Sequence, residues 1–383
     1  MTFPRIKPAN WGVNEKLTSA QMNALDVDHA AAVDVDQMEL EVSLTSALNW
    51  PLKGTTTNNI KRGFFSVKDQ AWFAVGDGGN DFLEVSYDYG RTWTSLTGSL
   101  GGTLPCIDVT AATTGNVAVI TGGSRTVYKG ARTAYGTYTW TTNANMLVAA
   151  PSTGGSCDYD ATAATFIAVY RTGAVGHADY TTDPAVAWTG GAVAAAWSTY
   201  VGTKDPEVTA IPGRAIAAYI DASVPRLNIM RSTDGGANWN NVQVTLGISA
   251  ADASVNSTLG TPAYNSVRDE WYITVSTTNG TRRTEFYRST DGGQNWTLVT
   301  TLSADFVAQD VAAIGNLILM TNDDARVAYS TDRGATWKLA TRLVGSAARR
   351  YLRAGGGGFM SWNSSADKST FASLRTSDSG NAL

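Results

Sequence analysis

Ser289-Thr290-Asp291-Gly292-Gly293-Gln294-Asn295-Trp296 is the stretch that decides the fold. The same phrase, Ser-x-Asp-x-Gly-x-x-Trp, stands at Ser86, Asp88, Gly90 and Trp93, at Ser232, Asp234, Gly236 and Trp239, and at Ser330, Asp332, Gly334 and Trp337. The residue types have a physical reason. A tight turn between two strands needs a residue tolerant of positive φ, which the glycine supplies. The Asp and Ser side chains can bond the turn's own N–H groups, and the Trp buries a large ring between neighbouring sheets. Strand-type runs flank each copy, as Phe82-Leu-Glu-Val85 and Trp93-Thr-Ser-Leu96 flank the first. The repeated aspartates are therefore read as fold-forming, and not as catalytic acids or calcium ligands, since function is grafted on a fold rather than built from its turns.

Degenerate copies fill the gaps. Thr181, Asp183 and Trp188 keep the hydroxyl, the carboxylate and the indole, with Ala185 in the glycine place. Residues 132–140 end in Trp140, lack the aspartate and count by position alone. Thr376, Asp378 and Gly380 open a last copy in which Leu383 takes the Trp place. The anchors at 93, 140, 188, 239, 296, 337 and 383 make seven units, a spacing that belongs to radial repeats. The phrase resembles the Asp-box of the BNR, or sialidase-like, β-propellers. The expected fold is thus all-β: a seven-bladed Asp-box β-propeller over residues 46–383, closed by an N-terminal strand and preceded by a short arm.

Each unit is expected to hold two inner strands, a hairpin carrying the box and an outer strand after the Trp. Second strands are plain at Ala71–Val75, Val117–Ile120, Phe166–Tyr170, Ala215–Ile220, Trp271–Val275, Leu317–Met320 and Gly358–Trp362. They are nearly continuous in apolar residues, as expected of strands covered on both faces. The last unit lacks an outer strand after its box. Ala47-Leu-Asn-Trp50-Pro-Leu-Lys53 looks like the strands that follow Trp296 and Trp337, so residues near 47–56 are expected to lie beside the end of the chain. Trp50 and Leu383 mark this closure, which removes a frayed edge.

The composition excludes several function classes. Charged residues are 16% and the net charge is −4, with no basic block or stripe, which argues against nucleic-acid binding. No apolar run reaches membrane-spanning length, and residues 1–8 lack the apolar core of a signal peptide. Two cysteines, Cys106 and Cys157, are too few for a disulfide framework and are expected as buried thiols on adjacent inner strands. His29 and His177 are far apart, so neither a His-based metal site nor a Ser-His-Asp triad is supported, and no cofactor is expected.

Residues 1–45 read as a separate arm. Thr18 and Gln21 form a capping box for a helix over about 18–33, in which Met22, Leu25 and His29 share one side. One thin apolar stripe is marginal alone, so the helix is expected to dock on something. Asp26, Asp28, Asp34 and Asp36 lack the spacing of a calcium loop. The string Trp11-Gly-Val-Asn-Glu15-Lys-Leu17-Thr18, with Gln21, Met22 and Asn23 following, resembles N-terminal segments of tailed-bacteriophage virion proteins such as tail and head fibres. That resemblance implies an anchor (Trp11, Leu17, Met22, Leu25) bound to other virion proteins, a homo-oligomer on the particle, and localisation to the virion.

The propeller resemblance suggests two activities. A sialidase-like glycoside hydrolase requires three arginines from different blades, a Tyr–Glu pair and an acid. Arg62, Arg171, Arg214 and Arg282 are available without a spacing that selects three, and Phe3-Pro-Arg5-Ile6-Lys-Pro8 departs from that family's leader. The favoured expectation is a non-enzymatic binding propeller for host-surface glycans, with loop 248–261 and the glycine run 354–358 as candidate binding loops.

Overall fold

The computed structural model describes residues 52–375, apart from short stretches such as 77–81, 101–105, 193–204, 249–256, 343–349 and 364–368. The helix expected over 18–33, the anchor residues Trp11, Leu17, Met22 and Leu25, the closure pair Trp50 and Leu383, and the last box (Thr376, Asp378, Gly380) lie outside the described residues.

The described residues are all-β and form seven antiparallel sheets, six of four strands and one of five. In chain order the sheets begin with Ile60–Ser66, Cys106–Ala111, Gly155–Asp160, Glu207–Ile211, Ser257–Leu259 with Ala263–Asn265, Ala308–Ile314, and Arg350–Gly355. We number the sheets one to seven in this order. Every expected second strand lies at the centre of its sheet, for example Ala71–Gly76 and Leu317–Asn322, each buried along its whole length. Six consecutive buried residues in one strand require cover on both faces. Here the cover is the neighbouring sheet on either side: Ile167, Val169, Ala215 and Ala217 share one core between sheets three and four, and Ile216, Ala218, Trp271 and Ile273 share the next.

The inner strands follow one another around a central channel, and the strand Ile60–Ser66 of sheet one packs on the strand Arg350–Gly355 of sheet seven. Phe65, Trp72, Ala74 and Met360 form the core at that junction. Sheet seven takes its outermost strand from the other end of the body: Leu52–Thr56 pairs antiparallel with Ser369–Arg375, with Leu52 opposite Ala372. The expected closure is thus made by a strand from before the first sheet.

Candidate functional site

Four complete boxes carry one hydrogen-bond pattern. In the turn that joins the third and fourth strands of sheet four, the Gly236 N–H donates to Ser232 Oγ at 2.9 Å. The serine hydroxyl in turn donates to Asp234 Oδ1 at 2.9 Å. The same carboxylate takes the backbone N–H of Asn238 on Oδ1 and its side-chain amide on Oδ2, at 2.9 and 2.7 Å. Trp239 Nε1 donates to the Gly236 carbonyl at 2.9 Å, which fixes the ring as it enters the inter-sheet core. Ser86, Asp88, Gly90 and Trp93 repeat this arrangement, with Thr92 in the place of Asn238. Ser289, Asp291, Gly293 and Trp296 do so with Asn295, and Ser330, Asp332, Gly334 and Trp337 with Thr336. The bonds hold the Asp234, Asp291 and Asp332 carboxyls below their usual value even though burial pulls the other way.

The box also joins sheets. Gly236 has φ +93°, and a side chain there would meet Ile167 of sheet three at 3.2 Å. Gly90 faces Met360 of sheet seven in the same manner, at 2.9 Å. Each turn therefore leans on the preceding sheet, and the first box leans across the closure.

The degenerate copies hold their turns differently. Asp183 caps its turn through Ala185 N at 2.9 Å and pairs with Lys129 of sheet two at 2.6 Å. Trp188 is buried. Residues 132–140, counted by position, form a two-residue hairpin between Val127–Ala134 and Thr137–Asn143. Asp69, from the first turn of sheet one, holds it: its carboxylate accepts from Arg132 Nε at 2.8 Å, from the Gly136 N–H at 3.3 Å and from the Tyr138 hydroxyl.

The central channel contains a cavity of about 270 Å³ lined by residues from all seven inner strands, among them Phe64, Val109, Cys157, Ile211, Tyr264 and Ala354. Charged side chains of the inner strands, Asp108, Asp158 and Arg353 among them, also line it. Asp108 accepts the N–H of Val109 and that of Cys157 in the next sheet, each at 2.8 Å. Asp158 accepts Ala210 N in the following sheet at 2.7 Å. Asp310 accepts from Thr261 N and Leu352 N, at 2.8 and 3.0 Å, in the sheets on either side. Neighbouring inner strands do not pair with each other, and these carboxylates join them instead.

Glu207 of sheet four reaches across the channel to Arg62 of sheet one, 145 residues away in sequence, in a direct buried ion pair. Thr261 Oγ1 donates to its other oxygen at 3.2 Å, and Arg353 lies at 4.0 Å. Burial pushes Glu207 up to about 7, with Arg62 and Arg353 pulling it back. Burial opposes the charge of Arg62, yet Glu207, Tyr351, Asp108 and Asp310 together outweigh it and hold the guanidinium above its ordinary value. Burial likewise lifts Asp158 to about 6 and raises the Cys157 thiol. Both cysteines are buried thiols on adjacent inner strands, as their positions predict.

The four arginines weighed for a glycosidase do not share one place. Arg62 belongs to the channel, and Arg214 stands at the box end of its strand, paired with Asp269. Arg171 lies at the opposite end of its strand, 3.1 Å from Asp205, and Arg282 precedes a third strand at that same far end. Sequence reasoning gave no role to Glu207, Asp108, Asp158, Asp310 or Asp69, because the partners of each lie in other units.

Residues 287–298 and 328–339 match the family model described as BNR/Asp-box repeat. No curated protein matches the sequence. Among solved structures, YCF48 from Cyanidioschyzon merolae aligns with a TM-score of 0.59 at 14% identity, over 84% of this chain and 98% of that one. A catalytically inactive virginiamycin B lyase from Staphylococcus aureus with quinupristin gives 0.58 at 10% identity over 84% and 98%. The WD40 propeller of Doa1 gives 0.53 at 14% identity over 84% and 96%. At such identities the likeness concerns the fold alone. With the boxes and the sheet order in place, the chain is a β-propeller built on BNR/Asp-box repeats.

Proposed function

We propose that this protein is a bacteriophage virion component, a fibre, collar or decoration protein, held to the particle by residues 1–45 and displaying the propeller to adsorb host-surface glycans. The observation that carries this reading is the leader Trp11-Gly-Val-Asn-Glu15-Lys-Leu17-Thr18, with its resemblance to tailed-phage virion proteins, placed ahead of a propeller whose repeated acids serve their own turns. The channel supports a binding role over a catalytic one. Arg62 is spent on Glu207, and the inner-strand aspartates on backbone N–H groups, so the strongest charges there hold the ring together. A surface low in charge and rich in hydroxyls suits neutral, hydrated partners. The propeller acts as a homo-oligomer on the particle, where several weak sites on one virion bind together.

Deleting residues 1–45 tests the anchor. The expected result is a folded propeller that is absent from purified particles when the truncated gene replaces the native one. Normal incorporation of the truncated protein overturns it. Hydrolysis of a sialoside by the purified protein returns the glycosidase reading.

A further inference from the structure

Two departures from the repeat meet in space. The box of sheet one has Tyr87 where the others have Thr233, Thr290 and Thr331. Sheet two has no box, and its hairpin carries Tyr135 at the tip. The two rings lie 5.6 Å apart, tilted by 45°. Tyr135 is 62% exposed, the most exposed aromatic among the described residues. Gly136 brings bare backbone under the rim of Tyr87, where a side chain would come within 3.0 Å of the hydroxyl. The hairpin is held by the fully buried Asp69, through Arg132, Gly136 and Tyr138.

A residue that only shaped the turn would follow the repeat. A box closes its turn with four side chains in eight residues; here the turn is fastened by bonds to another sheet, and the tip is given to an exposed ring. The nearby charges are already engaged: Arg132 with Asp69, and Asp88 with Ser86 and Thr92. Lys68, beside Arg132 at Gly115, is the neighbouring cation that an acidic ligand could use. Exposed Thr133 and Thr137 flank the tip and put hydroxyls beside Tyr135, the Thr137 hydroxyl donating to the Tyr135 carbonyl at 3.5 Å. A rigid aromatic face with a neutral hydroxylated border matches a pyranose ring, which offers an apolar face and hydroxyl edges.

We propose that Tyr87 and Tyr135 form a stacking platform for a neutral sugar residue on the Asp-box end of the propeller, at the junction of sheets one and two. This rests on the glycan-binding reading above and names its site. The test is a glycan array of neutral and of acidic bacterial-surface oligosaccharides, probed with the full-length protein, followed by titration of the best neutral ligand into three variants. Tyr135→Ala and Tyr87→Thr are each expected to weaken binding about tenfold; Tyr135→Ala should melt at the wild-type temperature, whereas Tyr87→Thr, which removes a ring packed on the core between sheets one and two, should melt lower. Val267→Ala, an exposed apolar side chain on a turn of sheet five, is expected to bind as wild type. Full affinity in both tyrosine variants overturns the platform and leaves the glycan reading standing. Preference for the acidic arm overturns the neutral assignment. Wild-type protein that binds neither arm overturns the glycan reading and the platform with it.

Discussion

Gly334→Ala separates two costs that the box glycine avoids. Gly334 has φ +84°, and its N–H and carbonyl are both engaged, with Ser330 Oγ at 2.9 Å and Trp337 Nε1 at 3.0 Å. A methyl group there carries left-handed strain of about 1–2 kcal/mol. It also overlaps the ring of Phe286, which stands edge-on to Trp337 at 5.1 Å in the inter-sheet core. Overpacking of that kind adds about 1–3 kcal/mol. Gly315, in the turn between the first two strands of the same sheet, has φ +55° and open space where a methyl would go. Gly315→Ala is therefore the control, costing about 1–2 kcal/mol from strain alone. Equilibrium unfolding in guanidinium should place the Gly334→Ala midpoint well below that of Gly315→Ala at an unchanged slope. Adding Phe286→Leu to Gly334→Ala should cost less than Phe286→Leu costs in the wild type, since the two changes relieve each other. Equal midpoints for the two alanine variants would refute the claim that the box glycine is fixed by the neighbouring sheet.

The channel ion pair and a buried acid give two further tests. Arg62→Met leaves Glu207 buried with its main partner gone and should cost about 3–5 kcal/mol, whereas Arg62→Met with Glu207→Leu should recover most of it; a double variant no more stable than Arg62→Met would contradict this. Glu84 is buried on a third strand, with Oε2 unbonded among the described residues, and burial pushes its pKa up to about 7. A carboxyl raised on folding adds stability below its unfolded value near 4.3, and that stability is lost as pH rises through about 7. Glu84→Gln should thus raise the melting temperature at pH 8.5, change it little at pH 4.5 and flatten the profile between; an equal shift at both pH values would show that ionisation is not the cause.

What the sequence revealed follows the range of each interaction. A box satisfies itself within eight residues, so Ser232, Asp234, Gly236 and Trp239 carry their whole explanation locally. Second strands announce themselves because burial on both faces leaves no polar alternation, as in Leu317–Asn322. The closing strand was legible from the likeness of residues 47–53 to the segments after Trp296 and Trp337, and Leu52–Thr56 pairs where that likeness places it. The channel was not legible. Glu207 and Arg62 are ordinary charges on two short strands until the ring brings sheets one and four to face each other. Asp69 gave no signal either, since its partners Arg132, Gly136 and Tyr138 lie more than sixty residues on, in the unit whose box had disappeared.

The two kinds of carboxylate explain where a ligand can be held. An inner strand pairs on one side only, so its other edge presents N–H groups that must be satisfied away from water. Asp108, Asp158 and Asp310 meet that need by bonding the next sheet's backbone, and Glu207 binds Arg62 across the ring. A ligand charge entering among these groups would have to displace a bond that closes the propeller, and a buried group left without its partner costs about 1–3 kcal/mol or more. The box aspartates are equally committed, each to a serine and to the residue four positions on. Recognition is therefore freest where the repeat gives up its own pattern without giving up its support. The hairpin of sheet two meets both conditions: Asp69 holds it through Arg132, Gly136 and Tyr138, and the Tyr135 ring stands exposed at its tip.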